Sequence, residues 1–415
     1  MLEIGQIRKQ ITALDKGDDA SRREAIQALR QYEQKDWAEA PAPLVQTVVE
    51  SLVEQLPNGT KPPFMLKELG AIFGNIGPRS KSAVPRLVEN LQDGNADSIR
   101  EMAAVALGKI GKDAKVAVDQ LIVLTSARNT LATHAVHALG CIGCSDQRVK
   151  TALVNLWASP LLTQNGQVQV ALALCKLKID ARGLLEILMV TLTGSQDVAL
   201  RKSSAEALGW CNKNDTDVVP VLLSASLSDK HEEVRQWAQA ALDQLGLSQE
   251  SAIQICAKQL KESKFAEAAL RKCGAPAVPA LIKALTSTES MVRIKAARTL
   301  ASLGELAAGA IPALTTALND REPDVRLAAA KGLWNAGKNA DNVVPVLVKL
   351  LDEEPDQKFE DGEMRRQFLQ TVMEALWRIG PPAIAARPAL MARTKDKNRM
   401  ISESAKSALK KIAGA

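Results

Sequence analysis

A unit of mostly 30 to 35 residues recurs along the 415-residue chain, and each copy carries the same marks. A first helix is predicted to begin with a branched residue and proline, as at Val278-Pro279, because first-turn amides lack an intrahelical partner. A second helix begins with a branched residue and arginine, as at Val292-Arg293, and closes at a glycine such as Gly304, which suits a left-handed C-cap. The chain is therefore predicted to be a series of helical hairpins.

The composition agrees with closely packed helices. The chain has only six Trp, five Phe and one Tyr, and its abundant alanine and leucine are strong helix formers. A helical hairpin can bury its apolar stripe only against the next hairpin, so the units must stack. We therefore predict an all-α fold, a right-handed α-solenoid of about twelve hairpins with an extended concave surface.

The spacing of the units divides this single predicted array into four parts. N-terminal capping units occupy about residues 1–77, and regular units occupy residues 78–337. The unit at 338–380 carries an acidic insertion, Asp352 to Glu363, which we expect to project from the edge of the stack. A basic capping unit, residues 381–415, closes the array.

The first-helix proline, the aspartate of the turn and the second-helix arginine resemble the HEAT-repeat family, particularly the short bacterial HEAT-like units also found in phycobilin lyases. The resemblance covers nearly the whole chain; it implies the solenoid fold and says little about function. In the family, the aspartate and arginine form a stacked ladder between neighbouring units, which should be interrupted here where other residues replace the arginine. The ladder positions of this chain are Asp229, Arg235, Asp320, Arg326, Arg293, Arg201 and Arg100.

The net charge of +6 is concentrated in the last repeat. Residues 385–415 hold eight basic and two acidic side chains, so the rest of the chain is balanced and a uniformly basic nucleic-acid-binding surface is excluded. The six cysteines fall mostly within apolar helical patterns, and a chain of this size needs no disulfides, so we expect a cytoplasmic protein. No signal-peptide pattern and no run of 18 apolar residues is present, so no membrane span is expected.

The residue types that most suggest chemistry are His134, His137, Cys141 and Cys144, all of which can bind zinc. On a helix the first three would spread over about 10 Å, which is too far for one tetrahedral ion, and we predict no metal site. The sequence contains no nucleophile elbow, phosphate-binding loop or zinc-protease motif. We therefore predict no catalytic residues, no cofactor and no enzymatic activity.

Basic and aromatic residues recur on one flank of the second helices. The basic ones predict a mixed-charge groove for an acidic segment of a partner protein. The tryptophans either contribute to binding or fill gaps between alanine-rich helices. The candidate partner-binding residues are Lys295, Arg298, Lys331, Arg378, Trp210, Trp237, Trp334 and Trp377.

The favoured function is a non-catalytic scaffold that binds one or more proteins along its concave surface. The main alternative is a nucleic-acid-binding HEAT-like protein, similar to the alkylpurine DNA glycosylases and anchored at the basic last repeat. Such binding would weaken steeply with salt. A chromophore-lyase-like role is a third possibility, for which the sequence offers no residue-level motif.

Overall fold

A computed structural model of the chain describes residues 3–57, 65–127, 130–160, 162–181, 183–353 and 362–414. Helices dominate these residues, and no strand occurs among them, which confirms the all-α prediction. The number of hairpins and the handedness of the array remain predictions. Most of the acidic insertion, residues 354–361, lies outside the described residues.

The chain divides into two compact units, Met1–Cys211 and Asn212–Ala415, while the single-array organisation stays a prediction. The helices of the first unit are α1 (Ile4–Lys16), α2 (Asp19–Arg30), α3 (Gln34–Glu39), α4 (Ala42–Val53), α5 (Leu66–Ile76), α6 (Val84–Asn90), α7 (Asp97–Ile110), α8 (Val118–Leu124), α9 (Thr130–Ile142), α10 (Gln147–Trp157), α11 (Gln164–Lys176), α12 (Leu184–Gly194) and α13 (Val198–Gly209). Those of the second unit are α14 (Val218–Ser228), α15 (Glu232–Gln244), α16 (Gln249–Lys258), α17 (Ala266–Cys273), α18 (Val278–Ala284), α19 (Ser290–Leu303), α20 (Ile311–Ala317), α21 (Pro323–Gly337), α22 (Ala340–Asp352), α23 (Gly362–Ile379), α24 (Arg387–Arg393) and α25 (Arg399–Ile412).

Consecutive helices pack against each other in pairs, for example α18 with α19 and α20 with α21. Proline occupies the first turn of α18, α20 and α24, where the sequence pattern places it. Second helices end at glycines such as Gly111 (φ +75°) and Gly304 (φ +57°), and a side chain would strain the backbone at these angles. The proline and the glycine of the repeated sequence unit therefore mark where its helices begin and end.

Gly337 departs from this pattern. It is the last residue of α21, and the positive φ of +52° falls on Lys338 instead. A Cβ at Gly337 would lie 2.9 Å from Cδ1 of Ile311, so a larger residue there would have to displace the end of that side chain on α20. The repeat boundary near residue 337 therefore coincides with the end of α21, but the left-handed residue that follows this helix is a lysine.

In the first unit the second helices α5, α7, α9, α11 and α13 pack on one another in chain order. Small residues permit a very close approach. A Cβ at Gly108 would lie 2.9 Å from Cα of Ala138, and a Cβ at Gly140 would lie 2.9 Å from Cα of Ala173. Backbone contact thus sets the spacing of α7, α9 and α11.

In the second unit the second helices form two tight pairs, α19 with α21 and α23 with α25. The contact between α21 and α23 is sparse by comparison. Leu300, Leu333 and Leu376 are fully buried within these pairs and their first helices. The face formed by the second helices is therefore more open between α21 and α23 than within either of these pairs.

Arg293 and Asp320 form a buried ion pair between successive hairpins. Nε and Nη2 of Arg293 donate to the two carboxylate oxygens of Asp320 at 2.7 and 2.8 Å, and the two side chains are 8% and 13% exposed. Nη1 donates to the carbonyl oxygens of Ser287 and Thr288 at 2.9 and 3.1 Å. Burial would raise the pKa of Asp320, but the hydrogen bonds from Arg293 and from the Glu322 amide outweigh it, and the pKa is lowered.

Arg326 continues this ladder towards the next hairpin. Its Nη1 donates to the backbone oxygens of Asp320 and Arg321 at 2.8 and 3.2 Å. Its Nη2 donates to the carboxylate of Glu353. The carboxylate of Asp320 is therefore bound by the arginine of the preceding repeat, and Arg326 binds the carboxylate of the following one.

At other ladder positions the arginine also closes its own interhelix turn. Nη1 of Arg235 donates to the backbone oxygen of Asp229 at 2.8 Å, and Nη1 of Arg201 donates to carbonyl oxygens of its own turn at 2.9 and 3.3 Å. Arg100 instead contacts the 93% exposed carboxylate of Asp93 at 2.9 Å. Only some of the ladder arginines therefore form a buried ion pair with a carboxylate.

One stretch of the described residues, Ser290–Ala317, is long and apolar enough to cross a membrane by length and composition, with a mean hydropathy of 1.2. It consists of α19, a 3-10 turn that begins at Gly304, and α20, so it belongs to two different hairpins. Core helices pass the same test of composition, so the stretch is weak evidence for a span.

Candidate functional site

A groove of about 710 Å³ lies between the first helices α16 and α18 of the second unit. Its floor is apolar, since Ile253, Ala284 and Val292 line it and are each at most 8% exposed. Pro279 and Ala280 form one wall. A cavity of this size can accept several side chains of a partner or a small molecule.

The rim of this groove carries both signs of charge. Lys258 on α16 and Lys283 on α18 are exposed, and neither has an ion-pair partner in the part of the chain that the structure describes. The same holds for Glu250 on the α16 side. Glu289 already forms an ion pair, because Nζ of Lys261 lies 2.6 Å from its carboxylate. The groove therefore offers two available lysines beside an apolar floor.

The groove falls at the shortest repeat of the sequence. The closing glycines of this repeat, Gly246 and Gly274, are 28 residues apart, and α17 has eight residues. Ala280 and Ala284 line the groove where longer apolar side chains would fill the space. The partner-binding residues chosen from the sequence do not include this groove, although the short spacing was a signal that could have drawn attention to it.

On the face of the second helices, Arg298 and Lys331 line a cavity of about 170 Å³ together with Asp324 and Thr371. Neither cation has an ion-pair partner among the described residues. Burial raises the pKa of Asp324, and the nearby Arg298 opposes this shift. The two predicted cations therefore share one mixed-charge depression, at the sparse contact between α21 and α23.

Lys331 also borders a smaller cavity of about 20 Å³, together with Trp334 and Arg378. Arg378 is engaged by Glu374 of its own helix, with 2.7 Å between guanidinium nitrogen and carboxylate oxygen. The structure thus brings Arg298, Lys331, Arg378 and Trp334 together around two adjoining depressions, as the alignment of the repeats predicts for one flank of these helices.

Lys295 does not join this group. Its Nζ lies 3.6 Å from the carboxylate of Glu267 on α17 and 3.5 Å from the backbone oxygen of Lys261. Residues three apart lie near the same face of a helix, so it is the ion pair with Glu267 that directs the Lys295 ammonium towards α17 rather than towards α21. The structure therefore separates Lys295 from the other three cations.

The remaining candidate tryptophans occupy different settings. Trp377 on α23 is 42% exposed, and Nζ of Lys411 lies 5.4 Å from its ring centroid. Trp237 on α15 is 40% exposed. Trp210, in the first unit, has Nζ of Lys178 5.7 Å from its ring centroid. The cations beside Trp210 and Trp377 are thus not those that the sequence pattern selects.

His137 and Cys141 meet on one face of α9 in the first unit, where Nε2 of His137 lies 3.4 Å from Sγ of Cys141. Nζ of Lys176 lies 3.5 Å from the same sulfur and 2.8 Å from the carboxylate of Glu206. Burial lowers the pKa of His134 and of His137 and raises the pKa of Cys141. Within the described ranges no three His, Cys, Asp or Glu side chains are placed to hold a metal ion.

Comparison with solved structures finds distant similarities. Kap121p bound to Nup53p has a TM-score of 0.37 and 15% sequence identity, over 98% of this chain and 45% of its own. Kap95p, in a structure with RanGDP, has a TM-score of 0.35 and 13% identity, over 99% of this chain and 60% of its own. Human deoxyhypusine hydroxylase in complex with glycerol has a TM-score of 0.28 and 17% identity, over 90% of this chain and 99% of its own. The chain spans about half the length of the first of these proteins.

Among curated proteins, none matches the chain. A sequence profile of HEAT repeats matches it four times, at residues 160–243, 181–271, 263–334 and 278–363. The matched region contains the Arg293–Asp320 pair and the groove between α16 and α18, so the profile, the repeat in the sequence and the packed hairpins agree. Residues 160–363 therefore belong to the HEAT-repeat family.

Proposed function

We propose that this protein is a non-catalytic scaffold that binds a partner protein, and that the groove between α16 and α18 is its main docking site. The observation that supports this most is the size of the groove, about 710 Å³, above an apolar floor. Repeat arrays bind their partners along extended surfaces of stacked helices. Apolar side chains that enter such a groove supply much of the energy of binding.

The groove fits a segment that carries an apolar side chain next to acidic ones. Ile253 and Val292 would contact the apolar side chain, and Lys258 and Lys283 would bind carboxylates from opposite sides of the rim. Charges at a rim act mainly on orientation and association rate, whereas apolar contact acts mainly on residence time. The partner is therefore expected to present an acidic and apolar segment, and its binding is expected to weaken moderately with salt.

The depression at Arg298 and Lys331 is a second and weaker surface for a segment of this kind. Its volume, about 170 Å³, is smaller than that of the main groove. The Asp324 carboxyl group within it opposes the approach of an anion. Its two cations lack ion-pair partners among the described residues, so they are available to a partner. We therefore place the main site on the first helices and a supporting contact on the second helices.

The proposal includes the absence of catalysis and a cytoplasmic location. The side chains that line the main groove include no His or Cys, and Oγ of Ser287 accepts a hydrogen bond from the Glu289 amide at 3.2 Å. The Ser–His and Cys–His pairs that commonly carry covalent catalysis are therefore missing from the lining. The six cysteines are thiols, which accords with a reducing compartment.

Reversing both rim lysines, Lys258→Glu with Lys283→Glu, is expected to weaken capture of the partner by about tenfold or more. Two negative charges would then face the acidic segment, and a loss of about 1.4 kcal/mol already amounts to a factor of ten. The measurement is affinity capture from cells that contain this protein natively, quantified by mass spectrometry and followed by titration of the captured protein. Circular dichroism checks that the variant remains helical.

The matched control is Arg298→Glu with Lys331→Glu, which changes the net charge by the same amount on the other face. It is expected to reduce capture by less than about threefold. Ala280→Trp tests the groove without a change of charge, because the indole would fill the space and abolish capture. The proposal fails if the control removes the partner while the rim variant and Ala280→Trp both retain it.

Binding of nucleic acid is the second candidate function, and the exposed ring of Trp377 beside Lys411 is the observation that favours it. Lys406 and Lys410 are exposed on the same helix as Lys411, α25. A base could stack on an aromatic ring while neighbouring lysines bind phosphates. The basic last repeat is therefore the place where such binding would start.

The scaffold proposal predicts no retardation of single- or double-stranded oligonucleotides in a gel-shift series at about 50 mM salt, where backbone contacts are strong. Tight binding that falls steeply with salt, and that Lys406→Glu with Lys410→Glu removes, would instead establish the second candidate. Lys258→Glu with Lys283→Glu is the control of equal charge, and it should leave such binding unchanged.

A further inference from the structure

Two cysteines of the first unit lie in contact with each other. Sγ of Cys175 and Sγ of Cys211 are 3.2 Å apart, although the residues are 36 positions apart in the sequence. Cys175, in the last turn of α11, is 5% exposed, and Cys211, which follows α13, is half-buried. A disulfide bond is about 2.05 Å long, so the sulfurs need to approach by only about 1.2 Å.

The fold holds this pair in place from both sides. The amide of Cys211 donates to the backbone oxygen of Leu208 at 3.1 Å, and its thiol donates to the backbone oxygen of Ala207 at 3.4 Å. Nζ of Lys178 donates to the backbone oxygen of Trp210. The first two contacts hold Cys211 in the turn after α13, and the third joins this turn to the residues after α11, which packs against α13.

We propose that Cys175 and Cys211 form a reversible redox modification site, which a small-molecule disulfide such as glutathione disulfide converts to an intramolecular disulfide. The more exposed Cys211 loses its proton and its thiolate attacks one sulfur of the oxidant, which releases one glutathione thiolate. Cys175 then loses its proton and attacks the Cys211 sulfur of the mixed disulfide, which releases the second glutathione. The two electrons lost by the protein pass to the oxidant, which leaves as two thiols.

A second pair of cysteines shows what the site requires. Cys256 and Cys273 are close enough to interact electrostatically, but they are 0% and 8% exposed. Burial raises the pKa of Cys256, and it raises the pKa of Cys273 to about 11, so little thiolate forms at neutral pH. Thiol exchange needs a thiolate that the oxidant can reach. Of the two pairs, only Cys175 and Cys211 include a half-buried member that an oxidant can reach.

The cross-link would join the ends of α11 and α13. It would close a long loop and so restrict the unfolded chain more than the folded one. Oxidation is therefore expected to raise the Tm of the wild-type protein by about 5 °C or more, a shift of the size that such loops give in a unit of this length. Reduction with dithiothreitol should reverse the shift.

The test equilibrates the full chain with mixtures of reduced and oxidised glutathione, blocks remaining thiols with N-ethylmaleimide, and digests with trypsin. Cys175 falls in the peptide 151–176 and Cys211 in the peptide 203–213, and Cys141 and Cys144 share the peptide 129–148. Mass spectrometry is expected to show the 151–176 and 203–213 peptides linked to each other as the fraction of oxidised glutathione rises.

Cys211→Ser, at a half-buried position that tolerates serine, is expected to abolish both the linked peptides and the rise in Tm. Cys175→Ser should do the same, and Cys144→Ser should change neither. The proposal is overturned if both thiols of the oxidised, folded wild type are still alkylated. It is equally overturned if each carries its own glutathione.

Discussion

Replacing Asp320 by alanine is expected to lower the free energy of unfolding of the second unit by about 3 kcal/mol. The Arg293 side chain is 8% exposed, and it would lose both carboxylate hydrogen bonds while it remains charged and shielded from water. Its other partners, the carbonyl oxygens of Ser287 and Thr288, cannot neutralise that charge. Hydrogen exchange of the full chain, followed by mass spectrometry, should become faster in α19 and α21.

Asp93→Ala is the control for this prediction, because Asp93 also lies in an interhelix turn and pairs with a ladder arginine, Arg100 of its own repeat. The carboxylate of Asp93 is 93% exposed, and exposed pairs contribute about 0–1 kcal/mol. Equal losses in the two variants would contradict the argument from burial. Arg293→Met with Asp320→Leu should recover most of the loss, because it removes both buried charges together.

The same ion pair sets a dependence of stability on pH. The pKa of Asp320 is lowered below its ordinary value of 3.8 in the folded protein, so its stabilisation is complete above that value. The stabilisation is lost as the pH falls from the ordinary pKa through the folded pKa, because in this range the unfolded chain binds a proton that the folded protein does not. The difference in unfolding free energy between wild type and Asp320→Asn is therefore expected to be constant from about pH 7 to pH 5 and to shrink below about pH 4.

Much of the fold follows from the sequence because each repeat carries its own helix boundaries. Proline near the start of α18 and glycine after α19 act within a few residues, and such local signals need no knowledge of the neighbours. Gly337 shows the limit of this reasoning. The left-handed angle falls on Lys338 instead, and the neighbour of Gly337 is Ile311, 26 positions earlier, which a pattern of caps cannot reveal.

The candidate sites depend on distances between repeats, which the period of the sequence leaves open. Arg326 lies six residues from Asp320, yet the carboxylate of Asp320 is bound by Arg293 from the preceding repeat. The groove is likewise lined by small side chains from two different helices, α16 and α18. Cys175 and Cys211 do not share a position within the repeat, so no alignment of the units brings them together. Only the packed structure identifies these three features.

Gly140→Leu is expected to lower the free energy of unfolding of the first unit by about 3 kcal/mol. Helix propensity alone predicts the opposite, a gain of about 0.8 kcal/mol, because Gly140 lies inside α9. Packing decides the sign: a Cβ at this position would lie 2.9 Å from Cα and 3.0 Å from Cβ of Ala173, and a backbone atom cannot turn away as a side chain can. Helices α9 and α11 must therefore separate, and hydrogen exchange in both should become faster.

Gly194→Leu is the control for this last variant, since Gly194 is also helical and a Cβ there would meet no atom within 4 Å. It is expected to be neutral or to raise the free energy of unfolding by up to about 0.8 kcal/mol. Urea unfolding of the full chain, followed by circular dichroism and hydrogen exchange, compares the two. A stabilised Gly140→Leu protein would mean that α9 and α11 are not held in backbone contact. The close stacking of the second helices, on which the repeat architecture of the first unit depends, would then have to be abandoned.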